Sequence, residues 1–378
     1  MGECVICLCA DPPPVQSGCA CRGDAGLAHA GCLIQKAFSQ RAHRGSDAWT
    51  TCQTCAQDFL GATGLALAEA RCESEPGMDA RSFLGAMLIV QGRHADAERT
   101  CRGVLAESRT SLGDEHGDTR TSVCNLAAAL NAQGKHAEAE TLLRGSLRAG
   151  DAPETRLGLA VSLCGRGKYA DAERILRGVV RERELASGTD STETLYAKCN
   201  LGSALAGQEK LGEKLAEAEA IFREVSTLRR RVLGDEHVDT LVCLCDLASL
   251  CLVPRGMCAE AETIQRDVLA IQRRTIGEEH PETLAVGHNL AVSIWDQGRH
   301  EEARELLRCV HAALVRTQGR SHHLSVTCAR TLAQYSARCA ASACVRPVGT
   351  GGASIYCSRA CRLADARAAA HKRTCTRP

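Results

Sequence analysis

Aromatic residues are scarce in this sequence: four Phe, four Tyr and two Trp among 378 residues, or 3%. Ala, Leu, Arg and Glu dominate instead, a composition that favours helices packed through small side chains. An excess of one charge is also missing. The 46 basic and 45 acidic residues leave a formal net charge of +1, so no global field draws the chain to nucleic acid or an anionic membrane. No apolar run approaches the ~20 residues that span a bilayer. The opening MGECVICLCA has no basic region followed by the apolar stretch of a secretory signal. There is no Ser-His-Asp order, paired-carboxylate motif or dinucleotide fingerprint. GTGGAS (349–354) lacks the Gly-Lys-Ser/Thr of a phosphate loop and reads as a linker. An ordinary active-site pocket is therefore not expected.

Cysteine is abundant. Of the 24, eight lie within residues 1–55, eleven run from Cys72 to Cys328, and five crowd between Cys339 and Cys375. With no export signal, a reducing cytoplasmic setting (or the nucleus) is expected, and there thiols bind metals more often than they pair. The first cluster forms four ordered pairs: Cys4-x2-Cys7, Cys19-x-Cys21, His29-x2-Cys32 and Cys52-x2-Cys55. Seven thiols and one imidazole suffice for two tetrahedral Zn2+ ions. Cys9 fits no pair and reads as a free thiol. With only Phe38, Trp49 and Phe59 as rings, this segment cannot build a self-sufficient core. Metal would supply the missing folding energy, roughly 10–16 kcal/mol per structural zinc at neutral pH.

The single residue inside the second pair, the seven before the histidine and the stretch CRGDAGLAH resemble the RING-CH (RINGv) finger of membrane-associated ubiquitin ligases. A PHD finger uses the same ligand order. It usually has a longer second pair and a Trp two residues before the seventh ligand, whereas Trp49 stands three before Cys52. The RING-CH resemblance covers residues 4–60. It implies a cross-brace, with Cys4, Cys7, His29 and Cys32 on one zinc and Cys19, Cys21, Cys52 and Cys55 on the other. It also implies docking of a ubiquitin-conjugating enzyme without a covalent intermediate, through Ile6, Leu33, Ile34 and Phe38, although Leu33 could instead pack inward. Three departures stand against ligase activity. Lys36 occupies a frequent Trp position, Ala56 follows the last ligand where a basic residue often stands, and the membrane helices usual in that family are missing.

Beyond a helix at LGATGLALAEARC and a break at ESEPG, one short phrase recurs. ADAE or AEAE begins at 95, 137, 170, 216 and 259, and EEAR at 301, mostly after a glycine as in QGRHADAE and RGKYADAE. Spacings of 33 to 46 residues with an internal Gly break mark a helix-turn-helix solenoid. Ala261, Ile264, Val268 and Ile271 fall at helical steps and predict a buried stripe. LGDEHGDT, LGDEHVDT and IGEEHPET join the repeats, with their acidic residues expected to cap the next helix. Arg229, Arg230 and Arg231 read as a solvated face, and the scattered cysteines, Cys243 and Cys245 among them, as small buried apolar residues.

The joint, NLA, QG and AE together resemble tetratricopeptide repeats of the kinesin-light-chain type over residues 78–337, as six pairs and a capping helix. The resemblance implies a peptide-binding groove carrying Asn125, Asn200, Asp246 and Asn289. At the end, YCSRAC followed by HKRTC resembles half of a MYND finger, and it implies one further zinc on Cys339, Cys344, Cys357 and Cys361. Residues 338–378 also hold eight basic residues against Asp365 alone.

The expectation is thus a mainly α protein of four parts. These are a zinc finger (1–60), a helical linker (61–77), a tetratricopeptide solenoid (78–337) and a Cys/His-rich module (338–378). The function expected is that of a RING-type ubiquitin ligase which recruits a conjugating enzyme and holds a protein or peptide ligand in its groove. The alternative is a non-catalytic scaffold or cargo adaptor of the kinesin-light-chain type.

Overall fold

The computed structural model describes residues 3–12, 14–16, 26–55, 59, 61–208 and 212–343. They are almost entirely helical. A two-stranded antiparallel sheet, β1 (Val15–Gln16) with β2 (Leu27–Ala28), precedes α1 (Ala30–Arg44), α2 (Asp47–Thr50) and α3 (Gly61–Ser74). Helix pairs follow: α4 (Met78–Val90) with α5 (His94–Leu112), α6 (Gly117–Ala132) with α7 (His136–Ala149), and α8 (Pro153–Gly165) with α9 (Tyr169–Ser187). After them come α10 (Thr192–Gln208) with α11 (Glu213–Leu233), and α12 (Val238–Asp246) with α13 (Cys258–Thr275). The last pair is α14 (Pro281–Asp296) with α15 (His300–Gln318), followed by α16 (His323–Ala343). Compact packing divides the chain at Thr283 into two units.

Each motif has an identifiable physical task. The third residue of every AE phrase, Ala97, Ala139, Ala172, Ala218, Ala261 and Ala303, is fully buried, which lets the paired helices approach closely. The fourth residue is a carboxylate in five repeats: Glu98, Glu140, Glu173, Glu219 and Glu262. Each pairs with an Arg one turn on: Arg102, Arg144, Arg177, Arg223 and Arg266. Most also reach a cation at the turn of the next repeat. Lys135 lies 2.7 Å from Glu98, Lys214 2.8 Å from Glu173, and Arg255 pairs with Glu219. Glu140 is the most enclosed, its side chain 1% exposed among Arg144, Arg166 and Lys168. Burial opposes ionisation of these groups, but the cations prevail and hold Glu98 and Glu173 down to about 2.

The joints correct the expected caps. The acidic residues lie in the first turn, but the N-cap is the histidine before them. Nδ1 of His116, His237 and His280 accepts the main-chain N–H of Asp118, Asp239 and Glu282 at 3.2–3.3 Å. In the second unit His322 does the same for Leu324 at 3.4 Å. The threonine three or four residues on ties the joint back: Thr194, Thr240 and Thr283 donate to the carbonyls of Gly188, Gly234 and Gly277 at 2.8–2.9 Å. Gly234, at φ 95°, ends α11 in a conformation closed to most other residues.

The arginine run is likewise corrected. Arg229 is 2% exposed, and its guanidinium donates to the Asp239 carbonyl at 2.6 Å. Arg183 repeats this one repeat earlier, on the Glu193 carbonyl at 2.8 Å. Only Arg230 and Arg231 are exposed, paired with Asp235 and Asp190. In α13 the buried stripe is Ala261, Gln265, Val268, Leu269 and Gln272, with Ile264 and Ile271 at its half-buried margins. Cys101, Cys199, Cys243, Cys245, Cys251, Cys258 and Cys328 are buried as expected, whereas Cys309 is exposed.

One irregularity has a countable cause. Gly134 and Gly298 lie fifteen positions after Thr119 and Thr283, but Gly256 lies sixteen after Thr240. The extra residue is absorbed by a π-helical turn, Leu247–Leu252, that continues α12. Gly256 still arrives at the turn with φ 76°.

The second unit holds most of α14 with α15 and α16. Its core contains Ile294, Leu307 and Leu314, with the Trp295 ring stacked on Tyr335 at 3.8 Å. Among the described residues, no helix is long and apolar enough to cross a membrane.

Candidate functional site

The N-terminal segment is organised around sulfur. The chain turns tightly after Cys4: the Leu8 N–H donates to the Cys4 carbonyl at 2.8 Å, and Leu8 itself takes φ 60°. The Val5 N–H donates to the Leu27 carbonyl at 2.9 Å, tying this turn to β2, which delivers His29 to the start of α1. Cys32 follows in the first turn of that helix. One donor atom each from Cys4, Cys7, His29 and Cys32 thereby falls within 4.8 Å of the others.

The imidazole is oriented for ligation. His29 Nδ1 lies 3.3 Å from Cys7 Sγ and 3.6 Å from Cys32 Sγ, while Nε2–H donates to the Pro12 carbonyl at 2.5 Å. That outer hydrogen bond fixes the tautomer with its Nδ1 lone pair toward the sulfurs. Zinc bond lengths near 2.3 Å to sulfur and 2.0 Å to nitrogen give tetrahedral edges of about 3.5–3.8 Å, so the observed spacings fit such an ion. The electrostatics agree. Burial works to raise the Cys4 thiol, yet the N–H groups of Cys7, His29 and Ile6 hold it down to about 6. Cys32 is pushed up to about 11, first by burial and then by the crowded Cys7 and Cys4 sulfurs. Three thiols so close resist ionising together, and a divalent cation among them removes that cost.

Of the second expected set, Cys52 is buried and Cys55 half-buried against the same small core. Cys19 and Cys21 lie outside the described residues, as does Ala56. The C-terminal set also falls there: Cys344, Cys357 and Cys361 are outside the described residues, and of Cys339 only its helical backbone in α16 is described.

A cleft opens beside the first knuckle, lined by Val5, Ile6, Leu33, Lys36, Gln40 and Thr54 among others. Val5, on its wall, is 48% exposed, and Leu8, three residues on, is 71% exposed. Of the four expected docking residues, Ile6 and Leu33 reach this cleft, and Leu33 is itself 7% exposed and part of the core. Ile34 packs on that core away from the cleft, and Phe38 meets Trp49 edge-on at 4.9 Å. The surface residues that the spacing missed are Val5 and Gln40. The i, i+4 partnership of Lys36 and Gln40 on α1 was the available signal.

The expected groove residues occupy one register, six positions after the joint threonine or its equivalent: Asn125 on α6, Asn200 on α10, Asp246 on α12 and Asn289 on α14. Val161 interrupts the series on α8. Asn200 donates to the Tyr196 carbonyl at 2.9 Å, and Asn289 Oδ1 lies 3.4 Å from His288 Nδ1. Asp246 is held up to about 7, chiefly by burial and then by the Glu282 charge, with Arg229 opposing.

Comparison with known proteins bears on the repeats. Tetratricopeptide-repeat models match residues 78–150, then 154–193, 194–239 and 255–282, and finally 284–308. A search of curated proteins finds no match. Among solved structures, one similar chain is described as a kinesin light chain of Podosopora anserina with nearly identical TPR-like repeats. It shares 23% identity over 64% of this chain and 96% of that one, with a TM-score of 0.34. A substituted form of that protein has the same identity and coverage and a TM-score of 0.35. BtubC (BKLC) from P. vanneervenii is 15% identical over 70% of this chain and 97% of its own, with a TM-score of 0.41. The matched repeats together cover more than half of the 378 residues, and the chain belongs to the tetratricopeptide-repeat family.

Proposed function

We propose that this protein is a recruiter with two ends: a zinc-stabilised finger that docks a ubiquitin-conjugating enzyme, and a repeat groove that holds the protein to be modified. The observation that carries the reading is the convergence of Cys4, Cys7, His29 and Cys32 beneath a cleft lined by Ile6. Cys4, Cys7, His29 and Cys32 would hold one zinc, and Cys19, Cys21, Cys52 and Cys55 a second. The metal's contribution is structural, since it cross-links a segment too small to fold on apolar burial. The chain's own residues then do the recruiting. Ile6 and Val5 present apolar surface, Gln40 and Thr54 offer polar contacts around it, and the transfer itself needs no covalent intermediate on this chain.

Metal analysis of the full-length protein tests the first part, with at least two zinc ions per chain expected. Ubiquitin-chain formation with a panel of conjugating enzymes tests the second. Activity that falls on Ile6→Ala while zinc content holds supports docking. No activity across the panel by a zinc-loaded, folded protein refutes it.

Lys36 on the cleft wall favours a second reading, a non-catalytic scaffold or adaptor of the kinesin-light-chain type. An ammonium there opposes apolar docking where the RING-CH resemblance leads one to expect an indole. On that reading the finger and the repeats only gather partners, and pull-down would succeed where chain formation fails.

A further inference from the structure

The first unit contains a contact that links the two ends of its repeat run. The joint between α13 and α14 reaches back to the end of α4, 190 residues away: the His280 imidazole donates through Nε2 to the Val90 carbonyl at 3.0 Å. Beside it the Pro281 ring presses on Gly92, where even a Cβ would fall 2.6 Å from the ring's Cγ. The acceptor on His280 is already committed, because Nδ1 caps α14 through the Glu282 N–H. Both ring nitrogens are thus in use, one inside the joint and one across the gap. In the equivalent joints the position of Pro281 is held by Gly117 and Val238, neither of which carries a pyrrolidine ring.

The helices between these ends carry residues of the expected groove. Tyr196 and Asn200 lie one turn apart on α10, and Asp246 takes the position of Asn200 on α12. Tyr196 is 46% exposed, and its neighbours push its phenol up, chiefly through burial. Burial also pushes up the carboxyls of Asp246 and Glu282. It lowers His280 despite the opposing Val90 carbonyl.

We propose that His280 and Pro281 form a latch on Val90 and Gly92, which holds the two ends of this repeat run together until a peptide bound at Tyr196, Asn200 and Asp246 opens it. The inference rests on reading the inner helices as the ligand-bearing face. It makes the resting protein self-closed, and a partner's apparent affinity is then reduced by the fraction of open molecules.

The test measures one distance with no partner present, so its outcome is independent of what the groove binds and of ubiquitin transfer. Azide-bearing residues are introduced at Arg93 and Glu278, whose side chains are 48% and 78% exposed. They are coupled to nitroxides in the full-length protein and read by pulsed dipolar spectroscopy. One short, narrow distance peak is expected. Pro281→Gly, which copies the His116-Gly117 joint and so retains a foldable sequence, should lengthen and broaden it, and His280→Ala should do the same. Circular dichroism confirms the fold of each variant. A long or broad distribution in the parent protein overturns the latch, and so does a peak that neither variant moves.

Discussion

The finger and the repeats spend the same residue types on opposite strategies. In the finger, cysteine and histidine converge: Cys4, Cys7, His29 and Cys32 sit within 4.8 Å in a segment whose strands are two residues long. In the repeats, cysteine disperses into the core, and histidine works one residue at a time as a helix cap. Charge follows the same division. The finger's donors repel one another without a cation, whereas each buried glutamate of the repeats is met by side-chain cations, with three around Glu140. On the proposed reading, a short segment with few apolar residues would depend on a metal from outside the chain, while a repeat array draws its partners from the next repeat. Helix α3 belongs to both regions. Leu67 sits in the finger's core, and Leu65 packs against Leu88 of the first repeat.

The largest effect should come from removing metal. Chelation should unfold the finger, at a cost on the order of 10–16 kcal/mol per zinc, yet leave most of the helical signal. Heteronuclear NMR of the full chain would show finger resonances collapsing while repeat resonances persist. Loss of both together would break the comparison. Next is Glu140→Ala, which leaves Arg144, Arg166 and Lys168 facing one another around a buried site. The three cations are 37–49% exposed and can turn to water, so the cost is that of lost charge-assisted hydrogen bonds, about 1.5–3 kcal/mol. Chemical denaturation should show it as a lower midpoint, with metal content unchanged.

The same division governs what the sequence revealed. The repeat frame was legible because close helix packing demands a small residue at one fixed place, and Ala97 to Ala303 recur there. Spacing paired Cys4 with Cys7 and His29 with Cys32, and these four fall within 4.8 Å of one another. Arg229 was not: an arginine run normally marks a solvated surface, and nothing local reveals that one member meets a carbonyl of the following repeat. Leu33 looked like docking surface because core and cleft both want an apolar side chain. The histidine caps were hidden behind the acidic residues that follow them, since a carboxylate in the first turn is the commoner cap signal.

Acid should separate the two regions by mechanism. Glu98 and Glu173 have folded values of about 2 against an ordinary 4.5. Their contribution is complete above pH 4.5 and is lost as pH falls from there toward 2. His280 and His322 are lowered from 6.5, so their neutral forms favour the fold, and stability begins to fall below that pH. In the proposed zinc finger, protons would compete directly with metal for thiolates. Zinc release, followed with a fluorescent chelator, should therefore precede the loss of helicity as pH falls. Coincident transitions would show that the repeats lean on the finger.

The smallest effect tests whether the histidine caps are real contributors or passengers. His237→Ala removes the acceptor that meets the Asp239 N–H at 3.2 Å, in a joint still held by Thr240 on the Gly234 carbonyl and by Arg229 on the Asp239 carbonyl. Losing a good N-cap costs roughly 0.5–2 kcal/mol, and the lower end is expected because the other two ties remain. His237→Asn offers a second acceptor at the same place and should recover most of the loss. His237→Ala as stable as the parent would mean that the glycine, threonine and arginine set the joint alone. Each joint would then be built from main-chain carbonyls, and the histidine would matter only where, as at His280, its second nitrogen reaches another part of the chain.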